Sequence, residues 1–164
     1  MTSGGDHPGA RSAPVVFTLG TSTRTSEEFV ACCRAFGITR VVDVRRFPTS
    51  HKYPQFVREA FATFLRDAQI DYAHLGPTLG GYRTGGYETY MATAAFREGL
   101  AELERLARAA PTAVVCSERL PWRCHRRFIA RALEARGWRV VHVIEPDPVW
   151  TPEPAATPFN GSAP

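Results

Sequence analysis

Short apolar, β-branched runs alternate along this chain with stretches whose apolar residues recur every three or four positions. Val15-Val16-Phe17-Thr18-Leu19-Gly20 reads as a first, buried strand. Thr25-Ser26-Glu27-Glu28 then forms a capping box. It opens a helix with Phe29, Cys33 and Phe36 on the inner face and Gly37 as its stop. Arg40 to Arg45 gives a second strand, followed by a loop from Arg46 to Phe56 and a helix that turns Val57, Phe61, Phe64, Leu65 and Ala68 inward. Asp71 to Leu75 is a third strand, and the glycine-rich stretch Gly76 to Gly86 reads as a lid or binding loop. Phe96, Leu100, Leu103 and Leu106 step along one helix face. Thr112-Ala113-Val114-Val115 is a fourth strand, Pro121 suits the first position of a helix carrying Phe128, Ile129, Ala132 and Leu133, and Arg139 to Ile144 is the fifth strand.

Strands and helices alternating at these lengths predict an α/β fold. The expected form is a single three-layer domain with a five-stranded, mostly parallel sheet and helices on both faces. A Rossmann-like order of 3-2-1-4-5 follows as the expected arrangement. In that order the topological switch falls between strands 1 and 4, where ligands of open α/β sheets bind. The loops after strands 1, 2 and 4 would then share one rim.

Composition narrows the setting. The 164 residues suffice for one domain, taken as 14–146, between an N-terminal tail at 1–13 and a proline-rich tail at 147–164. No apolar run is long enough to span a membrane and no secretion signal opens the chain, so a cytoplasmic location is expected, with the four cysteines reduced. Cys32 and Cys33 fit the role of core filler. The net charge of +4 permits an acidic partner but is small beside that of a dedicated nucleic-acid binder.

The densest chemistry lies in Cys116-Ser117-Glu118-Arg119-Leu120-Pro121-Trp122-Arg123-Cys124-His125-Arg126, between the fourth strand and its helix. Thr21, Ser22, Arg24, Arg45, Arg46, Tyr82, Arg123 and Arg126 are candidates for holding a small anion, because helix N-termini and arginine forks favour one. Asp43, in mid-strand, needs a buried partner and reads as an organiser. Glu118 and His125 are candidates for proton transfer. On a helical wheel of about 100° per residue, His125 lies about 40° from the core-facing Ile129 and Cys124 about 140° from it, which turns Cys124 sideways. Cys116, at the strand end, is the better-aimed nucleophile. Cys116, Cys124, His125 and Glu118 could in principle gather around a metal, yet no Cys-x-x-Cys or His-x-x-x-His spacing occurs and no metal site is assigned. Phe47, Tyr53, Phe56 and Tyr82, interleaved with Arg46, Lys52, Arg58 and Arg83, offer the stacking and charge that nucleic acid would use.

A strand-end cysteine followed by an arginine-bearing loop and a helix resembles the layout of rhodaneses and cysteine phosphatases. Those loops place arginine six residues after the cysteine, where this chain has Trp122. The fuller resemblance is to the domain-of-unknown-function family 488. It is carried by Gly20-x-Ser22-Thr23-Arg24, Glu27-Glu28-Phe29, Asp43-Val44-Arg45 with Pro48, Ser50, Pro54 and Phe56, His74-Leu75 with Leu79-Gly80-Gly81, Tyr90-Met91 with Phe96, and Cys116-x-Glu118 with Pro121 and Cys124-His125-Arg126. The resemblance implies a single α/β domain and no settled activity. The family usually has histidine after the first-strand glycine, where this chain has Thr21. These readings converge on a small enzyme, or degenerate enzyme, that binds a compact anion such as a nucleotide or phosphorylated metabolite. A nucleic-acid-binding module is the first alternative, and thiol or metal chemistry at Cys116 and Cys124 the second. The sequence specifies neither a cofactor nor an oligomeric state.

Overall fold

Each apolar run becomes a parallel strand and each periodic stretch a helix in the computed structural model, which describes residues 12–147. The strands are β1 (Val15–Gly20), β2 (Arg40–Asp43), β3 (Asp71–His74), β4 (Thr112–Cys116) and β5 (Arg139–Val143). The main helices are α1 (Ser26–Ala35), α2 (Arg58–Asp67), α5 (Ala94–Ala109) and α6 (Arg126–Ala135). Between α2 and α5 lie two single turns, α3 (Gly76–Leu79) and α4 (Tyr87–Tyr90). The expected tails at 1–13 and 147–164 fall almost entirely outside the described residues. Among those described, no helix is long and apolar enough to cross a membrane.

All strand pairs are parallel, and the five strands lie in the order β3-β2-β4-β1-β5. The fold class is as expected, but β1 and β4 exchange places relative to the expected order. Both are continuous apolar runs suited to the sheet centre, so their pattern alone cannot rank them. β4 is buried at every position and sits midmost, between β1 and β2. Because β1 and β4 remain neighbours, the switch point between them survives the exchange. What changes is the flank: the end of β2 now borders β4, as the bond from the Val44 N–H to the Val115 carbonyl records.

Side-chain alternation along the strands feeds two cores. Val16, Val42, Val114 and Cys116 face α5 and α6, where Leu100, Leu103, Ile129 and Leu133 cover them. Leu19, Val41, Ala113 and Val115 face α1 and α2, under Phe29, Cys33, Phe61 and Leu65. Cys32 and Cys33 are fully buried here, as the pattern predicts, and burial pushes the Cys33 thiol up to about 12. The Thr25–Glu28 capping box is formed in both directions.

Two local expectations need correction. Gly76 to Leu79 is a helical turn with Leu79 buried, so the open loop shrinks to Gly80–Gly86. Apolar Leu79 has a core to enter, and α3 packs on α5. Pro121 does not begin the helix after β4. It begins one 3-10 turn, Pro121–Arg123, and α6 starts at Arg126.

Candidate functional site

The late start of α6 decides where the chemistry lies. After the Pro121–Arg123 turn, Cys124 is extended (φ −142°, ψ 165°) and His125 caps the helix. A continuous helix would turn Cys124 sideways; extended backbone turns it inward instead. Its Sγ lies 2.7 Å from the Sγ of Cys116, which β4 delivers to the sheet edge at 2% exposure. Gly20 at the end of β1 lets this loop close down, since a Cβ there would collide with the Glu118 carbonyl. Thr21 and Ser22 then donate their N–H groups to the Cys116 and Ser117 carbonyls at 2.8 and 2.9 Å.

Three groups surround the sulfur pair. The Arg126 N–H, at the N-terminus of α6, donates to Cys124 Sγ at 3.2 Å, and His125 Nδ1 is 4.0 Å from the same sulfur. A helix N-terminus favours an anion; here the guest is the chain's own sulfur. The third group is the Arg126 guanidinium, which is fully buried. Its Nη2 donates to the carbonyls of Glu118 (2.6 Å) and Arg119 (3.4 Å), while Nε and Nη1 have no hydrogen-bond partner among the described residues. No described carboxylate forms an ion pair with it.

A buried cation without a carboxylate needs another counter-charge. Burial first, and the hydrogen bond shared with Cys124 second, push the Cys116 thiol well above its usual range, which favours Cys116 as the donor of that bond. That donated hydrogen bond, followed by those from His125 and the Arg126 charge, holds Cys124 well below the usual thiol range. These opposite shifts favour the proton on Cys116 and negative charge on Cys124, beside the Arg126 cation. Nearby His142, with Nδ1 2.7 Å from Thr18 Oγ1, is pushed down to about 4, by burial first and then by Arg126. It therefore adds no second positive charge at neutral pH.

The other candidates are dispersed. Arg45 turns to the α2 face, where Nε and Nη2 donate to the two oxygens of Asp43 at 2.9 and 2.8 Å and the guanidinium stands 5.3 Å from the Phe61 ring centre. Tyr72 completes that group with a 2.6 Å bond to Asp43, confirming Asp43 as an organiser. His125 turns toward β2, with Nε2 3.2 Å from the Val44 carbonyl and its ring against Tyr87. Glu118 is exposed beside Arg119, Leu120, Trp122 and Arg123. Arg45, Glu118 and His125, assigned to one rim, share no hydrogen bond, ion pair or ring contact with one another among the described residues. The reason is that buried Asp43 captures Arg45. Arg24 is likewise spent on the Gly20 and Ile144 carbonyls, and Arg46 on the Tyr82 carbonyl. Tyr82 itself is 88% exposed, and Arg123 is exposed. Cys116, Cys124, His125 and Glu118 make no metal donor set, and no group of three or more His, Cys, Asp or Glu suited to one occurs among the described residues.

His142 is the site residue that the sequence pattern did not assign, and Cys124, named there only for an alternative thiol or metal chemistry, was expected to turn sideways. The available signal for Cys124 was the distance from Pro121 to the first core-facing helical residues. It leaves room for a separate turn before the helix.

The fold and site define a small parallel α/β protein with a pair of cysteines at the carboxyl edge of its sheet. The chain is a member of the family described as Domain of unknown function DUF488, whose model matches residues 25–133. The match runs from the cap of α1 into α6 and takes in both sulfurs, leaving β1 and β5 outside. No curated protein and no solved structure matches the chain.

Proposed function

We propose that this chain is a thiol-dependent enzyme of the dithiol–disulfide type, with Cys124 as the attacking sulfur and Cys116 as the resolving one. The observation that carries the reading is the 2.7 Å sulfur pair beside a buried guanidinium that lacks a carboxylate. A thiolate is the nucleophile of disulfide exchange. The Cys124 thiolate attacks one sulfur of a substrate disulfide, forms a mixed disulfide and releases the first substrate thiolate. Cys116 then loses its proton and attacks Cys124 Sγ. The intramolecular Cys116–Cys124 disulfide forms, and the second substrate sulfur departs and takes up that proton. Two electrons pass from the protein to the substrate, and two equivalents of an external thiol, leaving as their disulfide, restore the pair. His125 and the α6 N-terminus hold the attacking sulfur, and Arg126 keeps it charged.

This reading is favoured over binding of a compact anion between Arg45 and Arg126 because both guanidiniums are buried and turned away from each other. The test is to expose the reduced protein to oxidised glutathione and map its thiols by mass spectrometry. A Cys116–Cys124 crosslinked peptide is expected, and Cys116→Ser should accumulate the mixed disulfide at Cys124. Modification of Cys124 no faster than that of buried Cys32 and Cys33 would overturn the proposal.

A further inference from the structure

A second feature of the same sheet edge is independent of the sulfurs. Among the described residues, the large hydrophobic side chains that stand exposed are Phe47 at 63%, Tyr82 at 88% and Trp122 at 52%. They lie in the loops after β2, β3 and β4, which are neighbouring strands in the order β3-β2-β4. Three exposed rings at one edge are a surface that burial does not explain.

The loops are also built to present them. Tyr82 has φ of 60°, a conformation that costs a non-glycine residue free energy and calls for a reason. Arg46 fixes it there, donating to the Tyr82 carbonyl at 2.6 Å while its guanidinium stands 5.4 Å from the Phe47 ring centre. One arginine thus ties the β2 and β3 loops together. Arg83 stiffens the rest of the Tyr82 loop through the Gly80 and Pro77 carbonyls, at 2.9 and 2.6 Å. Of the four aromatics that the sequence pattern suggested, Phe56 is core and Tyr53 is half-buried; Trp122 joins the rim in their place.

Charge selects the occupant. Across Arg46–Val57, Gly80–Tyr87 and Ser117–Arg127 the one carboxylate is Glu118, against Arg46, Lys52, Arg83, Arg119, Arg123, Arg126 and Arg127; Arg126 is buried and Arg119 is paired with Glu145, which leaves Arg46, Lys52, Arg83, Arg123 and Arg127 as the positive charge around the rings. Exposed rings set among cations suit unpaired bases joined by phosphates: each base has a face to stack, and each phosphate meets positive charge. A duplex hides those base faces.

We infer that the aromatic rim formed by Phe47, Tyr82 and Trp122 is a binding platform for single-stranded nucleic acid. The test is fluorescence anisotropy of the full chain, kept reduced, with labelled oligothymidylate and oligouridylate, against a duplex of equal length, inorganic polyphosphate and free mononucleotide. Affinity for the single strand is expected to fall steeply with salt, and to weaken roughly tenfold on Tyr82→Ala and further on combining Phe47→Ala and Trp122→Ala. All three rings are exposed, so melting by circular dichroism should stay unchanged. Arg46→Gln, which leaves every ring in place, should also weaken binding by releasing the Tyr82 loop. The inference is overturned if no single strand binds at low salt, or if duplex, polyphosphate or mononucleotide competes as well as the strand. It is equally overturned if the triple ring variant binds within about twofold of the parent.

Discussion

Two buried guanidiniums lie on opposite faces of this sheet, and they are balanced by different means. On the α2 face, the Arg45 guanidinium meets both oxygens of Asp43, and the Arg45 N–H and the Tyr72 hydroxyl add two further bonds to the same carboxylate. On the α6 face, Arg126 meets two carbonyls, keeps two nitrogens unpartnered, and has the Cys124 sulfur as its nearby negative charge. The first arrangement is closed, because both oxygens of the carboxylate are already bonded and have nothing further to react with. The second is open, because its counter-charge is a nucleophile that can be alkylated, oxidised or protonated. A charge balanced by carboxylate serves the fold, and one balanced by sulfur is available for chemistry.

The largest effect should come from breaking the closed arrangement. Asp43→Asn leaves Arg45 buried with no counter-charge, and removing one partner of a buried ion pair costs about 3–5 kcal/mol. Urea denaturation should show a loss of that order, with Tyr72→Phe losing less because it removes one hydrogen bond of the four that Asp43 accepts. A loss below about 1 kcal/mol for Asp43→Asn would mean that the α2-face pair is not the anchor argued here.

Arg126→Met should behave differently. It also removes one side of a buried charge balance, but the sulfur left behind can take up a proton and become neutral, whereas the Arg45 guanidinium cannot lose one, so the urea midpoint should fall by clearly less than in Asp43→Asn. The Cys124 thiolate, however, loses the charge that favours it. The pH midpoint of iodoacetamide labelling at Cys124 should rise by about one unit, equivalent to about 1.4 kcal/mol. Collapse of the fold with an unmoved labelling midpoint would reverse the contrast between the two faces.

How much of this was readable in the sequence follows the same division. The closed arrangement was legible in part: a carboxylate in mid-strand demands a partner, while Arg45, which falls on the same face two residues on, was assigned to holding an anion. The strands, the helix faces and the core role of Cys32 and Cys33 were legible because periodicity reports burial directly. The order of β1 and β4 was not, since two equally apolar strands compete for the sheet centre and the choice rests on packing across both faces. The open arrangement was obscured by one local event. Helical-wheel arithmetic holds only inside a helix, and the extended backbone at Cys124 sets its side-chain direction independently of Ile129. The arginines were misread together for a related reason: position at one sheet edge does not fix which face a long side chain takes.

The smallest expected effect concerns His142, which shares the α6 face with Arg126. In the folded chain burial, aided by the Arg126 charge, lowers it from 6.5 to about 4. The unfolded chain therefore binds a proton at His142 as pH falls below 6.5, while the folded chain resists until about 4. By linkage, stability is unaffected by this group above that window and declines as pH drops through it. Other groups also titrate there, so the informative quantity is a difference. Urea midpoints of the parent and His142→Gln should run parallel above the window and converge as pH falls toward its lower end, because the glutamine carries no proton-linked penalty. In Arg126→Met the convergence should weaken, since one of the two causes of the shift is gone. Parallel curves across the whole range would show that His142 titrates alike in both states, and that the Arg126 charge does not reach it.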